Sequence, residues 1–210
     1  MTPSDKSLPF HSKYSPKKLL VIKAAQESFL RHGFEKTSMD MLADQAGVAR
    51  RTIYNQFASK EALFQAVVEN VWSHLTPPEL TENEKDIEPT DRLRRMGMII
   101  ALYWAPPVMK DFLRLILLES ERFPFLQQDF YQMSKAPIVE QLNVFFDELC
   151  SEGIAAIPDI ELAARQFVGL IMEPLLWLRL VGVGDAPTDE RCKYVAEEAV
   201  NTFIARYWLR

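Results

Sequence analysis

Apolar residues in this chain recur mostly at intervals of three and four, the spacing that lays side chains along one face of a helix. Leu19, Ile22, Ala25 and Phe29 form the first such stripe, opened by Ser15-Pro16 and stopped by Gly33. Two short helices are predicted over 38–46 and about 49–56, the first capped by Ser38. A fourth starts after Ser59 and carries Leu63, Val67 and Val71 along one side as far as Leu75, before Pro77-Pro78. The acidic, proline-bounded run from Thr76 to Pro89 reads as a linker or surface loop. Thr90 is placed as the cap of a helix reaching Trp104, followed by helical stretches over 108–122, 126–133 and 137–150. Two long patterns close the chain, Asp159 to Val181, bent by Pro174, and Thr188 to Trp208. The whole pattern predicts an all-α protein with prolines as punctuation.

Within the first part, Ser38 to Phe57 has the spacing of a helix-turn-helix. Leu42, Ala46, Val48 and Ile53 supply the contacts between its helices, Ala43 allows a close crossing, and Gly47 takes the left-handed position that ends the first helix. Residues 21–69 resemble the N-terminal DNA-binding domain of the TetR family of bacterial regulators, through Ala25, Phe29, Gly33, Thr37, Ala43, Ala46, Gly47, Val48, Thr52, Tyr54, Phe57, Lys60, Glu61 and Leu63. Ala49 departs from the pattern where a capping serine is usual, and Gln56 where an aromatic residue or histidine is common. The run FLRLILLESERFP (Phe112 to Pro124), Phe130-Tyr131 and Ala163-Ala164 through Gly169 resemble the C-terminal region of the AefR-like branch. The expected architecture is a helix-turn-helix DNA-binding domain over 1–75, with 1–14 as a mobile arm, and a helical ligand-binding and dimerisation domain over 76–210.

Charge supports that division. The net charge of −5 is unusual for a DNA binder, but residues 1–75 carry ten Lys/Arg against seven Asp/Glu, leaving the acidity to the remainder. Lys6, His11, Lys13, Lys17 and Lys18 lie in or beside the arm, which is either a solvated tail or an extension reaching an adjacent groove. Arg50 and Arg51 open the recognition helix and can donate in bidentate fashion to guanine, Asn55 can pair with adenine, and Thr52 can meet phosphate or a thymine methyl. The resemblance implies phosphate contacts at Thr37, Tyr54 and Lys60, and Ser38 completes the DNA-binding set.

Enzyme chemistry finds little support. All three histidines, His11, His32 and His74, lie in the first part, so no Ser-His-Asp or Cys-His nucleophile fits the second. No spacing suggests zinc, no cofactor is expected, and Cys150 and Cys192 read as separate cytosolic thiols. Gly182-Val183-Gly184 reads as a helix end, and Glu119 and Glu121 as ion-pair partners of Arg114 or Arg122. No apolar run of membrane-spanning length occurs and no signal peptide is recognisable, which makes a cytoplasmic location the expectation.

In the second part Trp104, Phe112, Phe145, Met172, Glu173 and Trp177 are the candidates for a pocket taking an unknown small apolar or aromatic effector. The surplus apolar circumference of the last two helices marks an intermolecular face, with Val195, Ala199, Val200 and Phe203 as its candidates. The expected function is that of a homodimeric repressor on a palindromic operator. The competing readings are a ligand-independent regulator or activator and, from another class, an enzyme or small-molecule binding protein with a vestigial head.

Overall fold

Helix starts in the computed structural model follow capping chemistry. The side chains of Ser15, Ser38, Ser59, Asp159 and Thr188 each accept a hydrogen bond from the backbone N–H three residues on. The structure describes residues 14–75, 77–80 and 87–209. The proposed arm contact through Lys6, His11 and Lys13 lies outside them, as does the middle of the acidic linker. The described helices are α1 Pro16–His32, α2 Met39–Ala46, α3 Arg50–Gln56, α4 Lys60–His74, α5 Pro89–Trp104, α6 Pro107–Glu119, α7 Phe125–Phe130, α8 Ala136–Ser151, α9 Ile160–Met172, α10 Leu178–Leu180 and α11 Asp189–Tyr207. The protein is all-α, and two π-helical turns, Tyr131–Lys135 and Glu173–Trp177, join α7 to α8 and α9 to α10. The second contains Pro174, so the expected bend is realised as a local widening where a backbone N–H is missing. Thr90 is not the cap of α5, which starts at Pro89 after Glu88, because proline already has the φ of a first helical residue.

The chain forms two compact units. The first contains α1–α4 and also Leu117–Phe123, the end of α6 and the turn after it; the second contains residues 77–116 and 124 onward. A boundary drawn at 75 from the sequence alone therefore misses a segment of the first unit that lies more than forty positions further along the chain.

In the first unit, Phe29, Phe34, Phe64 and Phe123 form an aromatic cluster with ring centroids 4.6–5.8 Å apart. Ile22, Leu42, Ile53, Leu63 and Val67 are fully buried around it. Gly47 has φ 65°, the left-handed conformation that lets α2 end and α3 start within three residues.

In the second unit α11 packs mainly on α5, and α9 packs on α8. Gly97 on α5 permits this closeness, since a Cβ there would stand 3.4 Å from the Phe167 ring and 3.6 Å from both Ala196 and Val200. At its centre Phe146 and Phe203 stack, and Phe167 meets both of them edge-to-face. Among the described residues no helix is long and apolar enough to cross a membrane.

Candidate nucleic-acid interface

Helix α3 is held to its unit by one fully buried side chain, Ile53, with Phe57 following at its end. The rest of the helix turns outward: Arg50, Arg51, Tyr54 and Asn55 are exposed and Thr52 is half-buried. One short helix therefore presents two guanidinium groups, a phenol and a carboxamide on its free face, all donors suited to base edges or phosphates. Arg50 Nε lies 2.8 Å from Asp40 Oδ1 on α2, and its guanidinium sits 5.6 Å from the Tyr54 ring centroid. A hydrogen bond with Tyr54 and the Asp40 carboxylate raise the Arg50 pKa further above its ordinary range. Ser38 is exposed, and its hydroxyl is spent on capping α2.

The residues expected on phosphate divide. Tyr54 is 44% exposed and available. Thr37 is 1% exposed, and its hydroxyl donates to Gly33 O and lies 3.1 Å from Ser28 Oγ. In this conformation that hydroxyl is engaged in the α1–α2 turn and is not offered to phosphate. The ammonium of Lys60 is also turned inward, donating to Phe34 O and Thr37 O at 2.9 Å each while lying 4.1 Å from the Phe34 ring centroid. Two carbonyls and a ring face satisfy this cation more fully than solvent-facing phosphate contact would require.

A further support was not legible in the sequence. Glu119 neither pairs with Arg122 nor stands free, since its Oε1 accepts from Phe34 N at 2.9 Å. Arg122 instead pairs with Glu35 and stacks 4.8 Å above Phe34. The turn that delivers α2 is thus held from one side by Lys60 and from the other by residues 119–123. Ala49, at the cap position of α3, makes no side-chain hydrogen bond, as expected from its missing hydroxyl.

The candidates in the second unit also separate. Trp104, Phe112 and Phe145 are almost completely buried, Met172 is half-buried, and Glu173 and Trp177 are exposed, Trp177 by 59%. The widened turn at Pro174 faces Glu173 and Trp177 outward, and Glu173 lines an open surface groove instead of an internal cavity. The interface candidates Val195, Ala199, Val200 and Phe203 are all buried within this protomer, at 5%, 3%, 0% and 2% exposure, where they pack the core. Their side chains are spent mainly on this protomer's own core, and only Phe203 also reaches the wall of a surface groove. Exposed large apolar side chains here are Leu162, Leu170, Trp177, Leu178 and Val181 along α9, the turn after it, α10 and the residue beyond, and Tyr194 on α11. The groove, of about 940 Å³, runs beside α9, lined by Leu162, Gly169, Leu170 and Pro174 on one wall and Thr202, Arg206 and Tyr207 on the other.

A cationic, outward-facing second helix on a small helical unit, joined to a separate helical unit, defines a DNA-binding regulator of the helix-turn-helix class. Residues 21–67 match the family model of the tetR bacterial regulatory proteins, and residues 91–208, more than half of the chain, match the C-terminal domain of AefR-like transcriptional repressors. The chain belongs to the TetR family, with an AefR-like C-terminal domain, and is a DNA-binding transcriptional regulator of that family.

Similar proteins include the regulator YhgD of Bacillus subtilis, 41% identical over 51 residues that cover 24% of this chain and 27% of that protein. Another is TtgR of Pseudomonas putida, 32% identical over 79 residues covering 36% of this chain and 37% of that protein. The chain thus matches only about a quarter to a third of the length of these relatives. Among solved structures, the flavonoid-responsive regulator FrrA is 30% identical with a TM-score of 0.65, covering 92% of this chain and 98% of that one. A TetR-family regulator from Mesorhizobium loti, 23% identical with a TM-score of 0.72 over 95% of this chain and 100% of that one, shares the fold.

Proposed function

We propose that this protein is a homodimeric repressor that holds a palindromic operator through α3 and is released by a small aromatic ligand taken into its C-terminal unit. The observation that carries the DNA-reading part is the free face of α3, where Arg50, Arg51, Tyr54 and Asn55 are exposed on a helix anchored by Ile53. In a dimer two such helices read half-sites about one DNA turn, roughly 34–36 Å, apart.

Dimerisation is supported by the exposed apolar stripe of α9–α10 and the groove beside it. Trp177 is a large side chain of the kind that anchors interfaces, and the exposed Gly169 beside Leu170 lets a partner helix come close. An internal effector site is supported by Trp104, whose indole N–H is buried without an acceptor among aromatic neighbours that include Tyr103 and Phe130. An aromatic ligand with one acceptor oxygen would satisfy it, in keeping with the flavonoid response named for FrrA.

Selection from a pool of randomised duplexes tests the reading. The protein should enrich an inverted repeat and shift it with two chains bound per duplex. Aromatic compounds that release this duplex should quench or shift tryptophan emission, and Trp104→Phe should remove part of that signal. A protein that enriches no motif is not the operator-binding repressor described here.

A further inference from the structure

Arg50 and Arg51 open the same helix but are held differently. Arg51 makes no ion pair among the described residues. The Arg50 guanidinium meets Asp40 Oδ1 of α2 through Nε at 2.8 Å, and Tyr54, one turn along α3, adds a hydrogen bond to it. A guanidinium carries five N–H donors, so the contacts to Asp40 and Tyr54 still leave donors that can meet guanine O6 and N7 together. Asp40 therefore need not be displaced for Arg50 to reach a base.

We infer that Asp40 is a positioning residue for base reading: it fixes the Arg50 guanidinium as a preset two-pronged donor and so sets the strength of guanine preference at one position of each half-site. The inference rests on the DNA-reading role proposed for α3. Its physical ground is that an arginine side chain left free must surrender several rotamers on meeting the groove, a loss reduced when a neighbour already holds it. Asp40 also lies in the first turn of α2, where a carboxylate favours the helix N-terminus. That second role bears on stability and is blind to the base opposite Arg50, so the two separate experimentally.

The test uses the full chain, Asp40→Asn, Arg50→Ala and the double variant, each selected against the same randomised duplex pool, with thermal unfolding followed in parallel. Wild type should yield a motif in which Arg50→Ala abolishes guanine preference at one position per half-site. Asp40→Asn should weaken preference at that position alone by about two- to fivefold, the range open to an exposed ion pair. In the Arg50→Ala background, Asp40→Asn should change nothing further. The inference is overturned if Asp40→Asn leaves the preference intact, shifts all positions equally, or weakens the same position without Arg50. Tighter operator binding with unchanged selectivity would also overturn it, showing that Asp40 competes with DNA. A wild-type protein that enriches no motif would instead bring down the proposed role of α3 itself.

Discussion

Replacing Glu119 by alanine removes the acceptor that closes the α1–α2 turn. Its Oε1 takes a 2.9 Å hydrogen bond from Phe34 N, and Phe34 is 1% exposed, so water cannot readily replace the lost partner. A hydrogen bond to a charged group contributes about 1.5–3 kcal/mol, and an orphaned buried donor costs a similar amount. Local opening of the turn should therefore become roughly 10- to 150-fold more frequent. Amide hydrogen exchange in the full-length protein reads this directly, with Phe34 losing protection by that factor while amides in the middle of α11 stay unchanged. Glu119→Gln should fall between, because its amide oxygen still accepts but carries no charge. Operator affinity should fall with the protection, since this turn sets where α2 begins. Wild-type exchange at Phe34 in Glu119→Ala would show that the carboxylate contributes nothing to this turn.

Three other substitutions follow from the same geometry. Ala49→Ser supplies the missing cap of α3 and should stabilise the first unit by about 1 kcal/mol in thermal unfolding, with no gain at all counting against the cap geometry. Lys60→Met should lower stability by about 1–3 kcal/mol through loss of its two carbonyl contacts. Its DNA-binding defect should persist at high salt, whereas an unchanged stability with a salt slope lower by about 0.9 would restore the phosphate role. Leu170→Glu should give a folded monomer by light scattering and circular dichroism, while Val200→Glu, at a fully buried site, should unfold the second unit; the reverse pattern would place the interface elsewhere.

What the sequence made legible was local. Ser15, Ser38 and Ser59 cap helices because a cap depends on residues three apart, and Gly47 marks a turn because its conformation excludes most side chains. The free face of α3 was readable for the same reason, since a single short helix with one anchor must present its polar residues outward. Contacts between distant residues were not readable. Glu119 meets Phe34 across 85 positions and Lys60 reaches back 26, and neither has a periodic signature. Val195, Ala199, Val200 and Phe203 form an apolar stripe of α11 that periodicity alone cannot assign to a partner or to the core, and a helix spends such a stripe first on its own core. The second stripe, Leu162, Leu170 and Trp177 on α9 and the turn beyond, lies outside that core and only the packing reveals it. Glu173 reads as a pocket residue because its neighbours are apolar, yet the π-helical turn directs it to an open groove at the surface.

The central claim is that α3 reads sequence through its two leading arginines. The most direct measurement is the affinity of wild type, Arg50→Ala and Arg51→Ala for the selected duplex and for a scrambled duplex of equal length, at one fixed salt concentration. Each substitution should cost about 1–3 kcal/mol on the selected duplex and far less on the scrambled one, collapsing the ratio between them. Equal losses on both duplexes, or none on either, would contradict the account.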